Sequence, residues 1–358
     1  IALKQNQRLF LTFFDVKKAY DHADMDDMLY VLWKQGVKGK TWRLIKKLNE
    51  NLTARIKTKH GISRKIIREL GGKQGGRNMT TLFSKMIDTF EEEATEQNDL
   101  GVKIDNKNII SFLWVDDVAT TAEGTEQQEK MLEFAHNFAI KHKLEWGINK
   151  CNILEIGKQK ICRTEWPLGD NKIESVNEYS YLGDIISRNG NHKSNIEKRM
   201  KKVKQSTNAI MACGSSKIMK QIEIQTLLKL HEAINIPSLL TNSEAWSLNK
   251  TETLNLERAE IWALRRFINV PRTTPSVAIR FETKTLYTIV RIQIRQLIYL
   301  KKLLEREDEH RSSHLLRTLD HQNIGWAKNI RIIQEEFGLT DDWNEIRDLP
   351  MTAWKKNV

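Results

Sequence analysis

The chain has 358 residues, 40% of them hydrophobic, with 58 Lys and Arg against 46 Asp and Glu; the formal net charge is +12 and the isoelectric point is near 9.4. That allows two or three domains with cores of their own, and a polyanion is the natural partner for such a balance. The absence of any run of about 18 uncharged apolar residues or a signal-peptide order disfavours membrane insertion and secretion, and Cys151, Cys162 and Cys213 are too scattered for a zinc finger or a disulfide framework.

Residues 9 to 16, LFLTFFDV, are rich in strand formers and end next to an acid; residues 109 to 115, IISFLWV, do the same and run into Asp116 and Asp117. Both predict buried strands whose ends carry carboxylates. Between them, Asp24 to Asn51 has helical spacing, and a second helix over Thr80 to Gln97 opens after the cluster GGKQGG at 71 to 76. A third helix is predicted over Glu126 to Lys143. Strand, helix, helix, strand, helix is the order of an α+β layer, an antiparallel sheet with helices on one face.

Beyond about residue 190 the pattern changes to long helical segments. Leu254, Ile261, Leu264 and Ile268 form one apolar stripe, and Val290, Ile294, Leu297 and Leu304 another. The expected organisation is an α+β domain over 1–190, a mostly helical domain over 191–310 and a helical extension over 311–358.

Asp15, Asp116 and Asp117 are the candidate metal ligands, because hard divalent cations prefer carboxylate oxygens. Adjacent aspartates on a regular strand point to opposite faces, so the pair needs a tight turn for both to face one partner strand. By itself such a pair would also suit a solvated turn.

The order of the surrounding segments resembles the reverse transcriptase family, particularly the enzymes of non-LTR retrotransposons. FFDVKKAYDHAD at 13–24 is similar to the first palm motif, GGKQGG through LFSKMID at 71–88 to the second, and FLWVDDVA at 112–119 to the third. GINKC at 147–151 resembles the fourth, YLGDIIS at 181–187 the fifth or primer grip, and IPSLLTNSEAWSL at 236–248 with the following helices the thumb. The resemblance implies a palm over 1–190 ending in the primer-grip hairpin, then a thumb. It makes Asp15 and Asp116 the principal ligands of two Mg²⁺ ions, with Mn²⁺ as an alternative, and Asp117 an accessory acid. Tyr20 becomes the ring that rejects a ribonucleotide 2′ hydroxyl, Gln74 and Gly75 approach nucleotide and template, and Lys150 serves the pyrophosphate leaving group. Tyr181, Leu182 and Gly183 form the primer grip.

The implied activity is RNA-directed DNA polymerisation, with RNA template, DNA primer and dNTPs as partners. Fingers and an endonuclease are expected upstream of Ile1 in a parent polyprotein, and the expected location is intracellular and nuclear. The family's serine and proline in the second motif are replaced by Met79 and Thr80, and Trp114 stands where Phe or Tyr is common. In the thumb, Lys198, Arg199 and Lys202 belong to a basic stretch. Arg291, Arg295, Lys302 and Arg306 fall on one helical face, so both groups are candidate phosphate contacts. Two readings compete with a polymerase: a catalytically inactive retroelement-derived nucleic-acid-binding module, and a different two-metal enzyme. The intact acids argue against the first, and the joint presence of Tyr20, Gln74, Lys150 and the hairpin against the second.

Overall fold

The computed structural model describes residues 7–50, 52–67, 77–97, 99–105, 107–157, 159–212, 223–307 and 310–358, together with Leu3 and Gly71. The chain divides into two compact units, one of 1–179 with 187–190 and one of 180–186 with 191–358. Among the described residues no helix is long and apolar enough to cross a membrane.

The first unit begins with β1 (Leu9–Asp15), the short helix α1 (Ala19–His22), and the contacting helices α2 (Met25–Lys34) and α3 (Gly39–Asn49). A ribbon follows, of β2 (Thr53–Ala54), β3 (Lys57–Thr58), β4 (Gly61–Ile62) and β5 (Ile66–Ile67), and then the long α4 (Arg77–Thr95). Next come β6 (Val102–Ile104), β7 (Lys107–Ile109), β8 (Ser111–Trp114), β9 (Asp117–Glu123), α5 (Gly124–Lys141), β10 (Asn152–Ile156), β11 (Glu165–Leu168) and β12 (Asn171–Val176). The expected α+β class is observed, with two differences of detail. The helical spacing of 24–51 resolves into two helices, because Gly36 at φ 94° and Gly39 at φ 67° turn the chain between them. The sheet order is β11-β12-β10-β1-β9-β8, and β10 with β12 is a parallel pair in an otherwise antiparallel sheet.

Strand parity decides what β1 offers to each side. Phe10 and Phe14 join the core, packed with Met28, Val31, Phe83, Met86, Phe90, Met131, Ala135 and Phe138 of α2, α4 and α5. Between them Thr12 accepts a hydrogen bond from Gln128 of α5 at 2.7 Å. Phe13 and Asp15 therefore point to the opposite face, where Phe13 stacks on Tyr179 at 4.1 Å.

The chain passes through the hairpin β13 (Glu178–Tyr181) and β14 (Asp184–Ser187) into the helical unit. There follow α6 (Lys193–Ala212), α7 (Ile224–Leu230), α8 (Ile236–Leu240), α9 (Lys250–Ile268), α10 (Ser276–Thr283) and α11 (Thr288–Leu304). The unit ends with α12 (Arg311–His321), α13 (Gly325–Glu336), α14 (Trp343–Asp348) and α15 (Met351–Asn357). Asn249 and Glu252 form a capping box that starts α9. Trp354, Ile346 and Ile330 pack with Leu297 and Leu300 of α11, so the helices of 311–358 share a core with the helix before them.

The apolar stripes are met in part: Ile261, Leu264 and Leu297 are buried, and Ile268 and Leu304 pack against cores. Leu254 is exposed, and α9 buries Leu256, Ala259, Ile261, Ala263, Leu264 and Phe267. On α11 the buried positions are Thr288, Ile292, Gln296, Leu297, Leu300, Lys301 and Leu303, while Val290, Ile294 and Leu304 are half-buried. Lys301 escapes notice as a core residue because its aliphatic stem is covered while its Nζ reaches the Arg347 carbonyl at 2.7 Å.

Candidate active site

The candidate acids come together through β1 and β9. Their register sets Asp15 directly opposite Asp117, and Trp114 opposite Asp117 closes a two-residue turn made by Val115 and Asp116. Val115 holds φ 57°, a conformation that suits glycine and costs a β-branched residue about 1–3 kcal/mol. The turn allows the two neighbouring aspartates to leave the alternation of a regular strand.

Like charges directly opposite each other repel. Burial, then Asp116 and Asp15, push the Asp117 carboxyl above its ordinary value, and Lys150 only partly offsets this. Lys150 Nζ lies 3.0 and 3.1 Å from the two oxygens of Asp15, whose bond and charge hold the ammonium above its usual value. Among the described residues no three carboxylate, imidazole or thiolate groups converge into a ready-made cation cage. The crowded acids nevertheless have the chemistry of a donor set short of positive charge, which fits hard divalent cations.

Lys150 is carried by a 3₁₀ turn, Ile148–Lys150, docked on the end of β1. The Gly147 amide donates to the Asp15 carbonyl at 2.7 Å. A Cβ on Gly147 would stand 2.9 Å from Asp15 Oδ2, so the missing side chain is what lets this turn approach the carboxylate. Tyr179 completes the support, its hydroxyl donating to the Lys150 carbonyl at 2.8 Å. Asp15, Asp116, Tyr20, Trp146, Gly147 and Lys150 line one open cleft of about 600 Å³. Tyr20 is half-buried there, its ring 5.8 Å from that of Phe83.

Gln74 and Gly75 lie outside the described residues. Gly71, in the same cluster, has φ 74° and donates its amide to the Ala23 carbonyl at 3.2 Å; a Cβ would lie 2.4 Å from the carbonyl oxygens of Tyr20 and Asp21. Sequence reading passed over Gly71, Gly147 and Tyr179. Both glycines stand inside the quoted motifs, and that was the signal available for them.

In the helical unit Tyr181, Leu182 and Gly183 form the tip of the hairpin. Leu182 at φ 45° and Gly183 at φ 89° give both central residues the left-handed conformation of a type I′ turn. The tip is anchored by Asp184, a residue sequence reading did not single out. Asp184 accepts from Arg199 at 2.5 Å, and from Asn195 and Trp246 at 3.2 Å each.

Arg199 is thereby corrected from a phosphate contact to an internal anchor. It is 3% exposed and also donates to the Gly183 and Ser238 carbonyls. Lys202 is exposed and Lys198 half-buried, with Lys198 Nζ lying 3.3 Å from Ser180 Oγ. The α11 face is also largely engaged: Arg291 forks onto Glu232, Arg295 donates to the Leu240 carbonyl and Arg306 to Ser312, while Lys302 is exposed. Spacing alone shows which residues share a face but not which acids a neighbouring helix brings to it.

Known proteins similar to the chain include an uncharacterized transposon-derived protein of Caenorhabditis elegans, 22% identical over 174 residues, covering 48% of this chain and 61% of that protein. Similar solved structures include the telomerase of Candida albicans in complex with a fragment of telomeric RNA, at TM-score 0.46 and 10% identity over 98% of this chain and 51% of that one. Candida tropicalis telomerase in an equivalent complex gives 0.44 and 13%, over 96% and 49%. The chain thus spans about three fifths of the curated relative and half of each telomerase chain. A family model described as reverse transcriptase (RNA-dependent DNA polymerase) matches residues 1–186, which hold the paired aspartates, Tyr20, Lys150 and the hairpin tip. The chain belongs to the reverse transcriptase family.

Proposed function

We propose that the chain is the palm and thumb of an RNA-directed DNA polymerase from a non-LTR retroelement, with fingers and an endonuclease supplied upstream in its parent polyprotein. The observation that carries the reading is the register of Asp15 against Asp117 beside the Asp116 turn, with Lys150 at the same carboxylates. Asp15, Asp116 and Asp117 would hold two Mg²⁺ ions, or Mn²⁺, which when bound lower the pKa of a primer 3′ hydroxyl and neutralise a leaving pyrophosphate.

Lys150 exchanges its bond to Asp15 for the leaving group, to which its ammonium can give a proton. Tyr20 closes the sugar side of the cleft and leaves no room for a 2′ hydroxyl. Gln74 and Gly75 approach nucleotide and template, and the tip at Tyr181, Leu182 and Gly183 holds the primer end. Lys202 and Lys302, both exposed, and the half-buried Lys198 are the thumb cations suited to phosphates.

Primer extension on poly(rA) with an oligo(dT) primer, dTTP and Mg²⁺ tests this, using the chain joined to its upstream segments. Asp15→Asn and Asp116→Asn are each expected to abolish extension while primer–template binding persists, and Asp117→Asn to do less harm. Near-parental extension by either of the first two would refute the assignment.

A further inference from the structure

The helix pair α2–α3 carries a surface that the polymerase reading does not use. From Tyr30 to Asn49 there are six basic residues, Lys34, Lys38, Lys40, Arg43, Lys46 and Lys47, and no acid. Interleaved with them are Tyr30, Trp33 and Trp42. Tyr30 and Trp33, spaced three apart on α2, are 53% and 48% exposed. Trp42 is held edge-on to α2 by its indole N–H, which donates to the Leu29 carbonyl at 2.9 Å.

The three rings meet Arg43 and Lys46 around one open cleft of about 600 Å³, which Asp26 also lines. Each ring has an ammonium over its face: Lys34 over Tyr30 at 5.1 Å, Lys38 over Trp33 at 4.9 Å and Lys46 over Trp42 at 5.4 Å. Among the described residues the one carboxylate paired with these cations is Glu50, 3.9 Å from Lys46. Helix α3 buries none of its residues, and its Leu44 and Leu48 are more than half exposed.

From this we infer that α2–α3 is a stacking platform for single-stranded nucleic acid, separate from the cleft of Asp15. Aromatic faces take bases of any sequence, and flanking cations take the phosphates. The lysines now over the rings are weakly held at an exposed site, so an incoming base displaces them toward its own backbone. A duplex, whose bases are already stacked, has no free base faces to offer. Charge complementarity therefore selects a polyanion, and the exposed rings of Tyr30 and Trp33 select one with open bases. The inference does not rest on the polymerase reading, since none of these residues lines the Asp15 cleft.

Fluorescence anisotropy of a labelled 12-nucleotide oligo(U), with oligo(dT) and a duplex of equal length as parallel arms, tests it on the full chain. Tyr30→Ala and Trp33→Ala, both at exposed positions, are each expected to weaken binding of the single strands about tenfold and leave the duplex unchanged. Lys34→Gln with Lys38→Gln is expected to flatten the log–log salt slope for oligo(U) by about 1.4. Photocrosslinking of a 5-iodouridine oligonucleotide should label Tyr30, Trp33 or Trp42. The inference is overturned if these variants keep parental oligo(U) affinity and slope, or if duplex binding falls equally. It is also overturned if they lose only binding to vesicles of phosphatidylserine and phosphatidylcholine, which would make α2–α3 a membrane face.

Discussion

Replacing Asp184 by Asn should destabilise the helical unit through Arg199, and the structure sets the size of the effect. Asn keeps acceptor capacity for Asn195 and Trp246, each 3.2 Å away, but removes the charge facing a guanidinium that is 3% exposed. Breaking a buried pair by removing one partner costs about 3–5 kcal/mol. Two features reduce that here: Asp184 has a side chain 21% exposed, and Arg199 keeps the Gly183 and Ser238 carbonyls as acceptors. A loss of about 2–3 kcal/mol is expected, read from urea unfolding followed by tryptophan fluorescence. Arg199→Met should cost a similar amount, and the double variant should cost less than the two singles together by at least about 1 kcal/mol. A loss below about 0.5 kcal/mol for Asp184→Asn, the scale of an exposed pair, would refute the anchor and return Arg199 to the phosphate contacts.

Tyr20→Val should lower the ratio of kcat/KM for dTTP over UTP in primer extension, since the half-buried ring lines the cleft of Asp15; an unchanged ratio in a folded variant would make Tyr20 a packing residue alone. Burial opposes the charge on Glu260, but hydrogen bonds from His231, Arg280 and Thr288 outweigh it and hold the carboxyl down to about 2. Its contribution, about 3 kcal/mol for a shift of this size, is present above the ordinary value of 4.5 and lost as pH falls toward 2; Glu260→Gln should be less stable at neutral pH and lose less on acidification. His142 is opposed by burial yet raised above 6.5 by Asp27 at 2.7 Å and Glu93 at 3.2 Å. Its stabilisation is full below 6.5 and is lost as pH rises through the raised value, so His142→Gln should flatten the fall in urea midpoint above pH 6.5, and an identical profile would dismiss the clamp.

The sequence by itself determined the class of the fold and the family, because both are written in local patterns. A run of strand formers ending in Asp15, an apolar run ending in Asp116 and Asp117, and the change to helical spacing near 190 need only neighbours along the chain to be read. The motif order did the same for Lys150 and the hairpin tip. What only the tertiary structure decided depends on which distant groups are brought to a residue. Arg199 and Lys202 lie three apart in one basic stretch, yet Arg199 is turned onto Asp184, fifteen residues before it, and buried while Lys202 is exposed. Arg291 and Arg295 share a helical face as their spacing requires, but Glu232 and the Leu240 carbonyl, from helices more than fifty residues away, engage them. Glycine identity was visible at 71 and 147, whereas the close approach that makes each necessary exists only once α1 and β1 lie against them. A helix or strand period fixes a direction, and burial and partnership are settled by what packs there, a long-range property that no local window contains.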